Sequence, residues 1–329
     1  MTYRVALIGA GTMGSVHARH WNSVPGAELV GVLDPRVDAA RAAGPAFTDW
    51  NTLLSEAKPD IVDICTPTPF HREYLERAAA AGKAIFVEKP LTRTLADCDA
   101  MVAAVEKAGV PVMSGHVLRY FPEYAAAKRL VDAGAVGTPA AIRTARMAGL
   151  PDLGGRPNWY ADPEQSGGLV LDMILHDFDW LRWTFGPVSR VYAKGLYGRS
   201  EFIGRLDYAL VTLRFASGAV GHVTGSWAHP DGFRTTLEIA GDAGLIEHDS
   251  ARTAPLTASL KTSGGGRGVA VPESPMAAGE DPYYLEIAAF VSALENNQPP
   301  PVTLSDAREA TRISLAALES IETGKVVLL

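Results

Sequence analysis

Between Arg4 and Gly115 the chain alternates short, continuously apolar runs with longer amphipathic stretches, and this alternation restricts its fold more than any other feature. The apolar runs are residues 5–8, 29–33, 61–64, 84–87 and 110–113. A strand that is apolar on both faces has to be covered on both, which a parallel sheet flanked by helices provides. The stretches 13–21, 70–81 and 95–108 read as those helices, the last two stopped by Gly82 and Gly109. The expected first domain is therefore α/β, a doubly wound parallel sheet.

Beyond a further helical stretch at 122–133 the hydrophobic period shortens toward two. Residues 140–146, 188–193, 208–215, 219–226 and 235–239 read as strands of an antiparallel sheet, interrupted by a helix at 168–185. Helices at 283–295 and 305–322 close the chain, and the Gly- and Pro-rich stretch 263–282 reads as a mobile surface loop. The expectation is two domains: residues 1–120, a Rossmann domain, and residues 121–329, an α+β domain with a large, mostly antiparallel sheet. The final helix is expected to pack back on the first domain. A length of 329 residues suits two cores.

Composition excludes several classes of function. A net charge of −7 argues against a polyanionic partner, because nucleic-acid binders need a basic face to release counterions. Cys65 and Cys98 are the two cysteines, too few for a disulfide framework or paired metal hooks. No stretch approaches the roughly 18 apolar residues of a membrane span, and the first residues lack the pattern of an export signal. The expected setting is the reducing cytoplasm. His222, His229 and His248 have no metal-ligand spacing, so no metal is expected.

Directly after the first apolar run stands Gly9-Ala10-Gly11-Thr12-Met13-Gly14, a GxGxxG in strand–turn–helix context. Gly9 allows the tight turn, Gly11 lets backbone approach a pyrophosphate, and Gly14 lets the helix pack on the strand. Asp34 ends the second run about 20 residues past Gly14, where a carboxylate accepts hydrogen bonds from an adenosine ribose. A dinucleotide site follows, with NAD favoured because the carboxylate repels a 2′-phosphate. Arg36 weakens that preference, since its guanidinium suits such a phosphate, and keeps NADP as an alternative.

With this fingerprint, Asp34, the turn Thr66-Pro67-Thr68-Pro69-Phe70-His71 and the tripeptide Glu88-Lys89-Pro90 in this order, the chain resembles the Gfo/Idh/MocA family of glucose-fructose oxidoreductase and inositol dehydrogenase. The resemblance extends to Asp172 and His176, four residues apart within Gly167-Gly168-Leu169-Val170-Leu171-Asp172-Met173-Ile174-Leu175-His176-Asp177. On one regular helix that spacing puts both side chains on the same face.

The resemblance implies hydride transfer between nicotinamide and a hydroxyl or keto group of a sugar, inositol or related polyol. His176 would be the general acid/base, Lys89 would polarise the reacting oxygen, and Asp172 would fix substrate or partner geometry. The division of proton transfer between Lys89 and His176 stays open. Thr66, Pro67, His71, Glu88 and Lys89 would join Gly9, Gly11, Thr12, Met13, Gly14, Asp34 and Arg36 around the cofactor. Arg119, in Gly115-His116-Val117-Leu118-Arg119-Tyr120, would contact substrate, with a surface salt bridge as the alternative. His116 stands where inositol dehydrogenases would carry an apolar residue.

Trp159 and Tyr160 supply either a sugar-stacking wall or core packing. Trp180 and Trp183 read as packing, Asp177 and Asp179 as structural, and Cys65 as a small buried hydrophobe rather than a nucleophile. Family members often cover an open sheet face in dimers or tetramers. Two other functions share these residues: a hydrolase that oxidises and re-reduces a sugar on retained NAD, and a non-catalytic NAD-binding sensor.

Overall fold

The computed structural model describes residues 2–149, 162–198, 205–230, 232–252, 256–260 and 281–329. Trp159, Tyr160 and nearly all of the loop read at 263–282 lie outside the described residues. The chain divides into two compact units, Met1–Tyr120 with Glu280–Thr311, and Phe121–Gly279 with Arg312–Leu329.

The first unit runs β1 (Tyr3–Ile8), α1 (Thr12–Trp21), β2 (Ala27–Leu33), α2 (Val37–Ala43), β3 (Ala46–Phe47), α3 (Trp50–Thr52), β4 (Ile61–Ile64), α4 (His71–Ala80), β5 (Ala84–Glu88), α5 (Leu95–Ala108) and β6 (Val112–Gly115). Its six strands lie parallel in the order β3-β2-β1-β4-β5-β6. Strand order reverses between β1 and β4, the place where doubly wound folds open a ligand crevice.

Val5, Leu7, Ile61 and Phe86 point to one side of this sheet, Ala6, Ile8, Val62, Ile64, Ile85 and Val87 to the other, and all are buried. That two-sided burial is why the runs read as continuously apolar. Sequence reading began the last strand at residue 110. It begins instead at Val112, because Pro111 has no N–H to donate to the ladder. Local signals set the helices. Thr94 caps α5, its Oγ1 accepting the Asp97 N–H at 3.1 Å and donating to Asp97 Oδ2 at 2.7 Å. Such a cap contributes about 1 kcal/mol. Gly109 ends the helix in the left-handed conformation.

Two later helices, α9 (Pro282–Glu295) and α10 (Leu304–Thr323), contribute to this unit. Ile287, Phe290 and Val291 of α9 join the core beneath β1 and β5, and Leu304 and Ala307 of α10 join the core on the opposite side. The remainder of α10 belongs to the second unit.

The second unit contains α6 (Pro122–Asp132), β7 (Pro139–Met147), α7 (Pro163–Ser166), α8 (Leu175–Phe185), β8 (Val188–Tyr197), β9 (Leu206–Phe215), β10 (Val220–Ser226), β11 (Arg234–Gly241), β12 (Gly244–Asp249), β13 (Leu256–Leu260) and β14 (Val327–Leu328). Among the described residues its strands form one sheet, β13-β12-β11-β7-β10-β9-β8-β14. The pairing is antiparallel except between β10 and β7. The β12, β13 and β14 strands were not read from sequence. On the inner face Val191, Val211, Leu213, Val223, Ile142, Leu237 and Ile239 are buried. The outer face carries Tyr192, Lys194 and Leu210, all exposed.

The helix expected at 168–185 is two pieces. Residues Leu169–Met173 form a π-helical turn, and a regular helix starts only at Leu175, after a turn at Ile174. Asp172 and His176 therefore do not share one regular helix, and the same-face argument from their spacing does not hold. Among the described residues no helix is long and apolar enough to cross a membrane.

Candidate active site

In the first unit, the residues singled out from sequence gather at the carboxyl ends of β1, β2, β4 and β5. Gly9 follows β1 with φ +96°, and a Cβ there would press on the Cys65 carbonyl at 2.7 Å. A Cβ on Gly14 would run into the Gly9 carbonyl oxygen, so α1 lies against the turn only because Gly14 has none. Gly11, by contrast, faces open space, with nothing within 4 Å of where a Cβ would stand. It caps α1 without offering a side chain to the first N–H groups, while Thr12 is exposed and Met13 half-buried. Free N–H groups at the positive end of a helix beside such a cradle suit a pyrophosphate.

Asp34 ends β2 and is 4% exposed. Its Oδ2 accepts the Ala10 N–H at 2.7 Å, and its Oδ1 accepts the Arg36 N–H at 2.8 Å. The Arg36 guanidinium donates to both oxygens at 3.0 Å and to the Ala10 carbonyl at 3.3 Å. Burial alone would raise the Asp34 pKa, but these hydrogen bonds and the Arg36 charge hold it below the usual carboxylate value. A carboxylate and a guanidinium thus stand on one turn, hydrogen-bonded to each other.

Thr66 and Pro67, half-buried, begin the turn after β4. His71 is 1% exposed and engaged with backbone: Nε2 lies 2.8 Å from the Thr66 carbonyl, and Nδ1 lies 3.0 Å and 3.3 Å from those of Pro90 and Leu91. It ties the Thr66 turn to the loop after β5, so its geometry is that of a brace rather than a direct ligand contact. In that loop Lys89 precedes a cis Pro90 and is half-buried. The Lys89 N–H donates to Glu88 Oε2 at 2.9 Å.

Arg119 follows β6 with its side chain 3% exposed, its guanidinium 3.3 Å from the Pro301 carbonyl and 3.5 Å from Asp306 Oδ2. Arg119 is buried and Asp306 half-buried, so the pair is not the exposed surface bridge weighed from sequence. Arg119 thereby ties Pro301 and the first turn of α10 to the end of the sheet.

Sequence reading missed the network beneath the cradle. His17 of α1 is fully buried, its Nδ1 2.9 Å from Asp63 Oδ2 and 3.2 Å from Cys65 Sγ. Trp21 Nε1 donates to the same Asp63 oxygen at 2.6 Å. On the other side of the ring, Nε2 lies 3.2 Å from Glu88 Oε1 without aligning as a hydrogen bond, so that contact is electrostatic. Cys65, read as a small hydrophobe, is buried but sits among polar groups; burial and then the Asp63 charge push its thiol pKa up, against activation as a nucleophile. The available signal was Asp63, a carboxylate inside an otherwise apolar strand.

In the second unit, Asp172 lies in the π-helical turn and His176 in the first turn of α8, 7% and 9% exposed. Asp177 is fully buried and accepts the Arg146 Nε–H at 2.6 Å, pinning the start of α8 to β7. The junction lies close on the sheet because β10 presents Gly225, where a Cβ would stand 2.6 Å from Ile174 Cγ2. Trp180 is fully buried edge-on against Tyr124, whereas Trp183 is partly exposed beneath the Lys128 ammonium. His222 and His248 face Thr212 and Thr235 hydroxyls respectively.

The chain matches two family models: an oxidoreductase family with an NAD-binding Rossmann fold over residues 3–116, and a GFO/IDH/MocA C-terminal domain over residues 124–247. Among curated relatives, it is 32% identical to a myo-inositol 2-dehydrogenase of Thermotoga maritima, covering 99% of this chain and 98% of that protein. It is 33% identical to an NAD(+) scyllo-inositol 2-dehydrogenase of Bacillus subtilis, covering 99% and 96%. Among solved structures, levoglucosan dehydrogenase in complex with NADH and levoglucosan superposes with a TM-score of 0.90 at 26% identity, over 100% of this chain and 99% of that one.

Proposed function

Since the chain belongs to the Gfo/Idh/MocA oxidoreductase family and carries its NAD-binding Rossmann domain, we propose that it is a dehydrogenase moving a hydride between NAD and a ring hydroxyl or keto group of a sugar, inositol or related polyol. The observation that carries this reading is the position of Lys89. It stands at the carboxyl end of β5, on the sheet edge that also presents the open cradle at Gly11 and the Asp34 carboxylate.

Bound NAD would supply the hydride acceptor. The turn Gly9, Gly11, Thr12, Met13 and Gly14 would hold its pyrophosphate, Asp34 its ribose, and Thr66, Pro67, Glu88 and Lys89 its nicotinamide end, with His71 bracing the turn. His176 takes the hydroxyl proton during oxidation and returns it during reduction, a transfer suited to an imidazole near neutral pH. The Lys89 ammonium stabilises the developing alkoxide, and Asp172 orients the substrate. Arg119 acts through its ion pair with Asp306 as a support. The engagement of Asp34 by Arg36 supports NAD as the main cofactor with NADP admitted.

The outer sheet face supports a homodimer or homotetramer: Tyr192 and Leu210 are exposed there, 37% and 42%, on adjacent strands. Buried free thiols at Cys65 and Cys98 suit a reducing cytoplasm, and the net charge of −7 suits a small-molecule enzyme without a nucleic-acid partner.

The test is absorbance of reduced nicotinamide over a panel of inositols, aldoses and anhydro-sugars, with Lys89→Ala and His176→Ala beside the parent. Turnover of a panel member that collapses in both variants while NADH binding persists supports the reading. Tight NAD binding with no reduction anywhere in the panel overturns it.

A further inference from the structure

The network around His17 lies between the cofactor cradle and Lys89, and the roles above use only its Glu88 and leave His17, Asp63 and Cys65 without one. Asp63 on one side of the ring and Glu88 on the other are acceptors when ionised. A neutral imidazole has a single N–H and would aim its bare lone pair at one of two buried carboxylates. An imidazolium hydrogen-bonds Asp63 through Nδ1 and sets its positive charge against Glu88, offsetting both carboxylates in a buried region. Burial by itself would lower the His17 pKa, but Cys65 and Asp63 outweigh it and raise it well above the ordinary value. Glu88 is displaced the opposite way: burial would raise its pKa, and the His17 contact, the Lys89 charge and the Lys89 N–H bring it below the usual value.

A metal ion is the competing occupant, because His17, Asp63 and Cys65 each offer a ligand atom. Their contacts of 2.9, 3.2 and 3.5 Å are those of groups sharing protons. Tetrahedral zinc with bonds near 2.0–2.3 Å holds its ligand atoms about 3.3 Å apart or more, wider than the His17–Asp63 contact.

Glu88 is in turn locked on three sides: His17 faces Oε1, the Lys89 N–H donates to Oε2, and Gly115 lies so close that a Cβ there would stand 3.2 Å from Cδ. We propose that His17 is a positioning residue for hydride transfer, clamped between Asp63 and Glu88 so that the Glu88 carboxylate stays against the Lys89 backbone and fixes the point from which the Lys89 side chain departs. This rests on the reading that Lys89 acts on the reacting oxygen. The other titratable groups facing the ring are the Cys65 thiol, Tyr283 of α9 with its ring 6.3 Å away, and His20 on the same helix.

The experiment compares His17→Asn, His17→Gln, Glu88→Gln and the His17→Asn/Glu88→Gln double variant in kcat, in KM for NAD, and in the pH profile of kcat. The Asn amide keeps the Asp63 side without reaching Glu88; the longer Gln amide reaches toward it. Expected are a kcat loss of about tenfold or more in His17→Asn with KM for NAD within about threefold, a displaced basic limb of the pH profile, partial rescue by His17→Gln, and a double variant no worse than the worse single one.

Should His17→Asn fail to fold, His17→Gln and Glu88→Gln carry the comparison. A second readout needs no turnover: NMR titration of isotopically methylated Lys89, assigned with Lys89→Ala, is expected to move by about 0.5 pH unit or more on losing the His17 charge. A wild-type kcat and pH profile in His17→Asn, or an unmoved Lys89 titration, overturns the proposal whatever happens to Tm. Lys89→Ala separates the two failures. If it stays active, the reading of Lys89 fails; if it is inactive while His17→Asn is normal, only the positioning role fails.

Discussion

Replacing Gly225 with alanine tests whether the seat of the π-helical turn controls the reaction. The added Cβ would stand 2.6 Å from Ile174 Cγ2, and 3.5 Å from both Ile174 Cδ1 and Leu169 Cδ1. Carbon atoms rest at about 3.5–4.0 Å, so one contact is too short by about 1 Å. Cγ2 is bonded directly to the Ile174 Cβ and cannot swing aside as a chain end would; either χ1 leaves its well or the backbone moves. Ile174 is fully buried and sits midway between Asp172 and His176. Overpacking of this kind costs about 1–3 kcal/mol. At about 2–4 °C per kcal/mol for a unit of this size, Tm should fall by about 2–12 °C. A shift approaching 1 Å in a catalytic pair costs about 100-fold in rate, so kcat should fall about 10- to 100-fold. Ile174→Leu in the same background removes the offending branch at nearly constant volume and should restore most of both losses. Steady-state kinetics and thermal unfolding read the outcome. If Gly225→Ala keeps kcat within about twofold and Tm within about 1 °C of wild type, or if Ile174→Leu gives no relief, the argument is wrong.

Asp34→Ala should raise KM for NAD about 10- to 100-fold, the value of hydrogen bonds to a charged acceptor, whereas Arg36→Ala should weaken NADP use and leave NAD within about threefold; cofactor titrations decide. Asp177→Ala removes the carboxylate that meets the buried Arg146 guanidinium at 2.6 Å and should cost about 3–5 kcal/mol in urea unfolding, and a loss below about 1 kcal/mol would deny the ion pair its role. Burial holds the His71 pKa below its ordinary value, so as pH falls below about 6.5 the unfolded chain takes the proton first and native stability is lost. Urea midpoints should therefore fall more steeply from pH 7 to 5 in wild type than in His71→Asn. A pH-independent difference between the two would contradict this.

The parallel sheet was legible because burial on both faces writes itself into the sequence as uninterrupted apolar runs. Ile61–Ile64 and Leu95–Ala108 were read to the residue, the second because Thr94 and Gly109 mark its ends with side-chain chemistry. Ala46–Phe47 escaped because two residues carry no period, and Gly244–Asp249 because its alternation is too short to stand above chance. Parallel pairing of β10 with β7 depends on connectivity that local pattern does not encode. Gly9 and Gly14 were recognisable because backbone geometry requires them there, and Gly11 and Asp34 because they stand at fixed places in the motif. The break at Ile174 was hidden: a π-helical turn followed by an α-helix has the same apolar composition as one continuous helix, and Gly225, the residue that lets it sit there, is 51 positions away. His17, on α1, was hidden for a similar reason, as its partners Asp63 and Glu88 come from two separate strands.

Hydride transfer between a substrate carbon and nicotinamide can be followed by an isotope carried on that carbon. Inositols, aldoses and anhydro-sugars deuterated at their ring carbinol carbons would be incubated with the enzyme and NAD, and the recovered nicotinamide cofactor weighed by mass spectrometry. One deuterium should appear on the reduced cofactor, at a rate abolished by His176→Ala and Lys89→Ala. Substrate consumed while the cofactor stays oxidised and unlabelled, or cofactor bound with no substrate altered, would contradict hydride transfer.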